Sequence, residues 1–280
     1  YTDVRLVGAP PSAIGKFGGD TDNWMWPRHT GDFSLFRIYA GKDNEPADYS
    51  PDNVPYKPKK HFSVSMKGVQ KGDFTMVFGY PGNTQEYLSS YAVKMISEVQ
   101  NPNRISIRQE KINIIGKYMD MDPLIRIKYT SKYAGISNSW KKWIGENRGL
   151  KRLDAIQKKE QFEKNISDWM KANPERDQKY SYLLPEFKKV YEKLSPYQLA
   201  ADYTSESIFS LEISRLARNY RDLANVNEKS GLGDYEKIIS NLKNGLEGHF
   251  KDIDLVVDKE VFAKMITMLY QNLDKQFHPE

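Results

Sequence analysis

The stretch DNWMWPRHTGDFSLFRIYA, residues 22 to 40, joins a polar, aromatic loop to a segment with β-strand character. Its second half, DFSLFRIYA, is rich in aromatic and branched side chains and is bounded by Gly31 and Gly41, which is typical of a short strand. Its first half carries two indoles, an amide, a guanidinium and a carboxylate. Such a density of polar chemistry beside a strand raises the question of a functional site.

Residues before about position 83 carry strand patterns, and residues after it carry helical ones. Besides residues 32–40, HFSVSM at 61–66 alternates apolar and small polar residues, and DFTMVFGYPG at 73–82 is an apolar run. Prolines mark the long loops between these segments. Three short strands with long loops predict part of a β-barrel or sandwich, not a complete one.

The region after position 83 shows helix start and stop signals. Asn83 followed by Glu86 predicts a capping box and a helix to about Val99, which Asn101-Pro102 would end. Asp122-Pro123 predicts a second helix start. Apolar periodicity predicts further helical segments, which are residues 105–119, 150–170 (ended by Asn173-Pro174), 182–194, 196–227, 234–249 and 258–275.

The composition is that of a globular protein. The 280 residues, 39% hydrophobic and 28% charged, suffice for a sizeable core and roughly two domains. The net charge of +5 is a small excess, and basic clusters such as residues 57–60 do not alternate with aromatics, so nucleic-acid binding is not predicted. No apolar run is long enough to span a membrane. The absence of cysteine excludes disulfides, thiolate metal sites and a cysteine nucleophile, and the four histidines show no metal-ligand spacing.

Asp32 is the candidate catalytic residue, because it immediately precedes the strand segment. Chymotrypsin-like enzymes hold the acid of a Ser-His-Asp triad in this way, since the acid must be rigid to fix the histidine tautomer. The alternative is that Asp32 caps the turn at Gly31. His29 is interpreted as a hydrogen-bonding residue of the loop, and no Gly-x-Ser-x-Gly stretch supplies a nucleophile in this chain.

Asn23 and Trp24 are candidate ligands for a cation. An amide oxygen accepts a hydrogen bond from an ammonium, and the face of an indole attracts it. The alternative is that Trp24 and Trp26 plug the loop onto a core, as aromatic pairs in loops do.

Three segments resemble one protein family. They are GKFGGDTDNWMWPRHTGDFSLFRIYAGKDN at 15–44, MVFGYPGNTQEY at 76–87 and KYAGISNSWKKWIG at 132–145. They resemble the exported bacterial dipeptidyl-peptidases of the dipeptidyl aminopeptidase BII type, and within that family most closely the member specific for Asp or Glu. The resemblance implies a chymotrypsin-like fold with an inserted helical domain. Residues 1–84 would be the end of the first β-barrel of the peptidase domain, and residues 85–280 an incomplete α-helical cap domain.

The resemblance also implies roles for individual residues. Asp32 matches the acid of the family's catalytic triad. Asn23, Trp24 and Asn138 match residues that bind the N-terminal amine of the substrate, and Arg28, in the same motif, is expected to line the site. No cofactor or metal is implied, because acyl transfer by a triad needs none.

The resemblance further implies that this chain is an internal fragment. The triad histidine is expected before Tyr1 and the nucleophilic serine after Glu280, so the chain alone is expected to be inactive. The whole enzyme would be a serine-type dipeptidyl-peptidase that releases N-terminal dipeptides from oligopeptides with a free N-terminus, with Asp or Glu at the second residue (P1). Its expected location is the periplasm or the outer surface of a Gram-negative bacterium.

Several alternatives stay open on the sequence alone. A member of the same family that prefers hydrophobic residues at P1 would carry similar motifs. A non-enzymatic helical module that grips peptide segments, or an unrelated hydrolase with an unrecognised nucleophile, would also fit the helical pattern. The sequence does not determine the oligomeric state, and a homodimer stays open.

Overall fold

The structure is a computed structural model that describes residues 1–19, 21–76, 79, 82–83, 85–221 and 232–279. The chain divides into two compact units, Tyr1–Gln85 and Glu86–Glu280. The first unit contains the strands, and the second is helical. The prediction of a mixed, mostly helical fold is therefore confirmed.

The first unit is built around a three-stranded antiparallel sheet in the order β1-β2-β3. The elements in chain order are β1 (Val4–Gly8), α1 (Ser12–Gly15), β2 (Leu35–Ala40) and β3 (Val54–Pro55). β1 pairs with β2 so that Leu6 lies opposite Phe36, and the register shifts at a bulge between Leu6 and Gly8. The side chains of both Leu6 and Phe36 are exposed.

A buried carboxylate ties the start of β1 to the loop before β3. The Asp3 side chain accepts hydrogen bonds from Arg5 Nη2 at 2.7 Å and from Asn53 Nδ2 at 2.9 Å. The hydrogen bond from Arg5 is the main reason that the pKa of Asp3 falls to about 2. The guanidinium of Arg5 also lies over the ring of Tyr39, 3.9 Å from its centroid, and donates to the Ser50 carbonyl. These charge-assisted hydrogen bonds hold the start of β1 to the segment before β3, because each polar group of the cluster has a hydrogen-bond partner in it.

The strand predictions have mixed outcomes. The predicted strand at 32–40 is confirmed over Leu35–Ala40, which is β2, and residues 32–34 precede it without strand structure; β1 and the two-residue β3 were not predicted. The predicted strand at 61–66 is wrong, because those residues are exposed and form no strand. Of the predicted strand at 73–82, residues 73–76 form none, and residues 77, 78, 80 and 81 lie outside the described part of the chain. A strand needs a partner for its backbone, and the described residues offer none to 61–66.

The second unit consists of nine α-helices with two π-helical turns between them and a short 3₁₀ helix at the end, counted over its described residues. In chain order they are α2 (Ser90–Met95), a π-helical turn (Ile96–Gln100), α3 (Asn101–Met121), α4 (Pro123–Arg152), α5 (Ala155–Lys171), α6 (Pro174–Tyr180), α7 (Leu183–Tyr203), a second π-helical turn (Thr204–Phe209), α8 (Glu212–Asn219), α9 (Leu232–Lys251), α10 (Leu255–Asn272) and the 3₁₀ helix Lys275–Phe277.

The predicted capping box at Asn83 and Glu86 is wrong, because α2 begins at Ser90. Ser89 caps it, its Oγ accepting from the Ala92 N–H at 3.3 Å. The side chain of Glu163 accepts from both N–H and Oγ of Ser90 at 2.6 Å, which holds this helix start against α5. The Glu163 carboxylate on α5 therefore accepts from a backbone N–H at the start of α2. This is the kind of hydrogen bond that the Glu86 side chain of the capping box was expected to accept.

The predicted helix start at Asp122-Pro123 is confirmed, because the Asp122 side chain accepts from the Leu124 N–H at 2.7 Å. The predicted break at Asn101-Pro102 is wrong: α3 follows the first π-helical turn without interruption. Pro102 is the second residue of α3, and the first turn of a helix is where a proline's missing N–H is tolerated. The predicted gap before Pro196 is wrong as well, since α7 runs through it.

The helix predicted over residues 150–170 is divided into two. Asp154 adopts φ 50°, a left-handed conformation that ends α4 and allows α5 to begin at Ala155. The predicted helices at 234–249 and 258–275 are confirmed in α9 and α10. The predicted helix at 196–227 ends early as a regular α-helix, at Tyr203, and its last residues, 222–227, lie outside the described part of the chain.

The core of the second unit lies where α3, α4, α7 and α10 meet. Its most buried side chains include Ile107, Tyr129, Val257, Met265 and Leu269, each at most 2% exposed. Because these residues come from helices far apart in sequence, the core holds the helical unit together as a whole. Among the described residues, no helix is long and apolar enough to cross a membrane.

Candidate functional site

The loop between α1 and β2 is closed at its base by two hydrogen bonds. The Gly31 N–H donates to the Ile14 carbonyl at 3.0 Å, and Thr30 Oγ1 donates to the Phe17 carbonyl at 2.9 Å. A Cβ at Gly31 would lie 3.2 Å from Ile14 Cγ2, so the close approach of the two loop ends favours glycine. The predicted site residues of the first unit all lie in or directly after this closed loop.

Arg28 crosses the loop. Its Nη1 donates to the Asp22 carbonyl at 3.3 Å, and its Nε donates to Thr30 Oγ1 at 3.2 Å. Arg28 therefore braces the segment that carries Asn23 and Trp24. Its expected role in lining a binding site stays a prediction, and the geometry gives it a positioning role in the loop.

Trp24 has an unusual backbone conformation, with φ 61°. A left-handed conformation at a bulky residue costs free energy and is common at functional sites. Its side chain is 56% exposed and that of Trp26 is 90% exposed. Neither indole is buried in a core by the described residues of this chain, and the alternative in which both plug the loop onto a core stays open. The half-buried Asn23 precedes Trp24 directly.

Asp32 lies between the base of the loop and the first residue of β2. Its position is set by the hydrogen bond of Gly31 and by the pairing of Leu35 with Gly8. The side chain is exposed. Within the described ranges no backbone N–H donates to its carboxylate, so the turn-cap alternative lacks the hydrogen bond that would define it. The carboxylate is therefore available to another group.

Asn138 lies on α4 in the second unit, on the exposed side of the helix next to the buried Ser137. Asn23 and Trp24 belong to the first unit. The predicted amine site needs all three residues together, and that convergence stays a prediction. Over the part of the chain that the structure describes, no cluster of three or more His, Asp or Glu side chains could hold a metal ion.

A buried ionic network between α3 and the end of α7 was missed from the sequence. Arg104 Nη2 donates to Asp202 Oδ1 at 2.5 Å. Arg108 donates to both carboxylate oxygens of Glu206 at 2.9 and 2.8 Å, and its guanidinium lies 4.5 Å from the centroid of the Trp143 ring. The signal was present, since the two arginines and the two acids each have a spacing of four residues and so lie on one face of their helices.

Lys111 completes this network one helical turn further along α3. Its ammonium donates to the Glu206 carbonyl and to Ser210 Oγ, and lies 3.9 Å from Glu206 Oε2. The side chain is buried, and this burial lowers the pKa of Lys111 to about 8, opposed by the nearby Glu206 carboxylate. Two cations, Arg108 and Lys111, thus share one carboxylate in the interior of the helical unit.

Comparison with known proteins identifies one family over the whole chain. The model of the family Peptidase S46 matches residues 1–280. An Asp/Glu-specific dipeptidyl-peptidase of Capnocytophaga gingivalis is 50% identical over 98% of this chain. Dipeptidyl-peptidase 7 of Porphyromonas gingivalis is 42% identical over 100% of it. The chain spans 39% and 38% of the lengths of these two relatives.

Solved structures give the same result. The crystal structure of Porphyromonas endodontalis DPP11 in complex with the dipeptide Arg-Asp superposes with a TM-score of 0.74 at 34% sequence identity. Its complex with Arg-Glu gives 0.73, also at 34%. Both matches cover 100% of this chain and 40% of the solved one.

Proposed function

The chain belongs to the Peptidase S46 family, and from this we propose that it is part of a serine-type dipeptidyl-peptidase that releases N-terminal dipeptides with Asp or Glu at the second residue. The observation that carries the proposal is the 50% identity over 98% of the chain to an Asp/Glu-specific dipeptidyl-peptidase. Similarity to DPP11 bound to Arg-Asp and Arg-Glu supports the same substrate class.

The two units would then have different parts in the enzyme. The strand unit would be the end of the first β-barrel of a chymotrypsin-like peptidase domain, and the helical unit would be the α-helical cap. Support for the first assignment comes from the exposed apolar side chains of the sheet, such as Leu6 and Phe36, which the rest of a barrel would cover. The described strands by themselves close no barrel.

Asp32 would be the acid of the catalytic triad. Asp32 lies three residues before β2, and its carboxylate, with no hydrogen bond from the described residues, would accept one from a histidine N–H. The histidine would take the proton of a serine hydroxyl, which attacks the substrate carbonyl, and water would release the dipeptide from the acyl-enzyme. Histidine and serine would come from the part of the enzyme that this chain does not span.

Asn23, Trp24 and Asn138 would bind the N-terminal ammonium of the substrate. An ammonium taken out of water needs hydrogen-bond acceptors, because an unpaired buried charge is costly. Two amide oxygens and an indole face meet that need, and the bracing of the loop by Arg28 would hold Asn23 in position. A substrate with a blocked amine would lose this match, which would make the enzyme an exopeptidase.

The decisive experiment compares three fluorogenic substrates on the full-length protein, the gene product that contains this chain. They are a dipeptidyl substrate with Asp at the second residue, one with Leu there, and an N-acetylated form of the first. We expect kcat/KM to be about 10- to 150-fold higher for the Asp substrate than for the Leu substrate, because this ratio corresponds to the free energy of one hydrogen bond to a charged group. We expect no cleavage of the acetylated substrate.

Two results would contradict this proposal. Preference for Leu would replace it by the specificity of a different member of the family. Cleavage of the acetylated substrate at an equal rate would exclude dipeptidyl-peptidase action altogether.

We further propose that the full-length enzyme acts in the periplasm or on the outer surface of a Gram-negative bacterium. The support is the resemblance of residues 15–44 to exported peptidases. Fractionation of the source cells with an antibody against this chain tests it, and a purely cytosolic signal would contradict it.

A further inference from the structure

Arg108 on α3 makes a second set of contacts, with the backbone of α4. Its Nη1 donates to the Ile136 carbonyl at 3.2 Å and lies 3.5 Å from the Gly135 carbonyl oxygen. A carbonyl oxygen has two lone pairs, so it can accept from Arg108 and from an N–H of its own helix at the same time. Residues 135 to 138 make about one helical turn. Arg108 therefore joins α3 to the turn of α4 that carries Asn138.

Apolar packing fixes this part of α4 only weakly. Of the residues of α4, all of which the structure describes, Tyr129 and Ser137 are the only buried ones. Tyr129 precedes Asn138 by about 13 Å along the helix axis. The half-buried Tyr133 and Ile136 add apolar contacts, but such contacts have no direction. The hydrogen bonds of Arg108 are directional and can fix both the rotation of α4 and its position along its axis.

The guanidinium of Arg108 is itself held in one orientation. Glu206 accepts from its Nε and Nη2 at 2.9 and 2.8 Å, and the ring of Trp143 lies 4.5 Å away. The backbone carbonyl of Glu206 accepts in turn from Lys111 Nζ and from Ser210 Oγ. Because a guanidinium is planar and rigid, two bonds to Glu206 determine where Nη1 meets α4.

Arg104, one turn earlier on α3, provides a matched contrast. It donates to a carboxylate too, that of Asp202 at 2.5 Å, and its guanidinium lies 5.5 Å from the ring of Trp143. Among the described residues, however, it donates to no carbonyl of α4. The contact with the backbone of α4 is thus specific to Arg108 and is not a general feature of the ionic network.

We propose that Arg108, held by Glu206, is a positioning residue that places Asn138 for binding the N-terminal ammonium of the substrate, an inference that rests on the proposed role of Asn138. Arg108 acts through the backbone of α4 and does not contact the substrate. A hydrogen bond weakens steeply as its distance and angle depart from the optimum, so a rotated or shifted α4 would weaken the bond between Asn138 and the ammonium.

Inhibition of the full-length protein by two product-like ligands tests this proposal. They are Leu-Asp and desamino-Leu-Asp, the same molecule without its α-amine, and each competes with a fluorogenic dipeptidyl substrate. The ratio of their Ki values is the amine preference. Arg108→Lys keeps a positive charge near Glu206, but its single nitrogen does not reproduce the planar fork. We expect it to lower the amine preference by about 10-fold and to leave the Ki of desamino-Leu-Asp unchanged.

Three further variants serve as controls, with the melting temperature as the check of folding. Asn138→Ala should lower the amine preference by about 10- to 150-fold. Arg104→Lys alters the matched ion pair and should leave the amine preference unchanged. The double variant of Arg108→Lys and Asn138→Ala should lose no more than Asn138→Ala alone, because Arg108 acts through Asn138.

A second variant decides if Arg108→Lys does not fold. Glu206→Gln keeps the size of the side chain and leaves one acceptor oxygen where the Arg108 fork now meets two. It should lower the amine preference in the same direction.

Two groups of results would overturn the inference. An unchanged amine preference in Arg108→Lys, equal weakening of both ligands in it, an equal loss in Arg104→Lys, or a further loss in the double variant would overturn it and leave the proposed function standing. No amine preference in the unaltered protein, or an unchanged one in Asn138→Ala, would contradict the proposed amine site itself, and the inference with it.

Discussion

The two units of the chain differ in where their apolar side chains lie. In the helical unit, Val257, Met265 and Leu269 are completely buried in a core shared by several helices. In the strand unit, Leu6 and Phe36 on adjacent strands are exposed, and Ala40 is the one buried apolar side chain among its described residues. The helical unit therefore has its own core, whereas the described residues of the strand unit, which include the proposed site residues Asn23, Trp24 and Asp32, form none.

The largest expected effect lies in the strand unit. If Asp32 is the proposed triad acid, Asp32→Asn in the full-length protein should lower kcat by about 10⁴-fold, because an amide does not hold a triad histidine in the required tautomer. Steady-state assay with the Asp-containing dipeptidyl substrate measures it, and the melting temperature serves as the control for folding. Nearly normal turnover would remove Asp32 from the catalytic residues.

The next prediction compares the stability of the two units directly. Leu269→Ala should destabilise the helical unit by about 2–5 kcal/mol, since it leaves a cavity in a closed core. Leu6→Ala in this chain should change the free energy of unfolding by less than about 0.5 kcal/mol, as an exposed substitution does. Urea denaturation followed by circular dichroism measures both. Equal losses in the two variants would mean that the contrast between the units is wrong.

The same Leu6→Ala change in the full-length protein sharpens the comparison. If a barrel covers the sheet there, the loss should exceed about 1 kcal/mol, because a buried leucine is then truncated. A loss as small as in the 280-residue chain would speak against the barrel assignment.

The third effect is a pH dependence of the helical unit. Because the pKa of Lys111 is about 8 in the folded state, against an ordinary value of 10.5, the folded state binds fewer protons between these values. Stability should therefore increase as pH rises through about 8 to 10.5, by at most roughly 3 kcal/mol from this group. The unfolding free energy of Lys111→Met, measured over the same range, should lack this increase. Parallel curves for both proteins would contradict it.

The smallest effect tests the two units together. If both side chains belong to the proposed amine site, Asn23→Ala and Asn138→Ala should each lower kcat/KM by about 10- to 150-fold in the full-length protein, because each would remove one acceptor from a bound ammonium. The double variant should lose less than the product of the single losses if both side chains contact the same ammonium. Normal efficiency combined with a lowered melting temperature in Asn138→Ala would instead make it a structural residue of α4.

Local features of the fold could be predicted from the sequence, because neighbouring residues determine them. The Asp122 side chain caps α4 by accepting from an N–H two residues ahead, and the short strand Leu35–Ala40 follows from its own aromatic and branched residues. The motif around Asn23 and Asp32 indicates a peptidase family through the order of its residues alone. These signals act within a few positions along the chain.

Features that depend on distant residues could not be predicted in this way. The start of α2 is held by Glu163, which is 73 residues away, and Arg108 meets Glu206 across 98 residues. Residues 61–66 alternate as a strand does but find no partner among the described residues. Periodicity states which face of a segment is apolar, and it does not state which other segment covers that face.

The sequence by itself determined the family, the strand Leu35–Ala40 that follows Asp32, and the helical character of the second unit. The tertiary structure alone decided that α3 and α7 run through their prolines, that two cations share one carboxylate, and that α8 to α10 leave a cavity beside Lys111. The physical reason is range: caps, turns and strand propensity depend on neighbours in the chain. Burial, pairing of charges and empty volume depend on which surfaces meet in space.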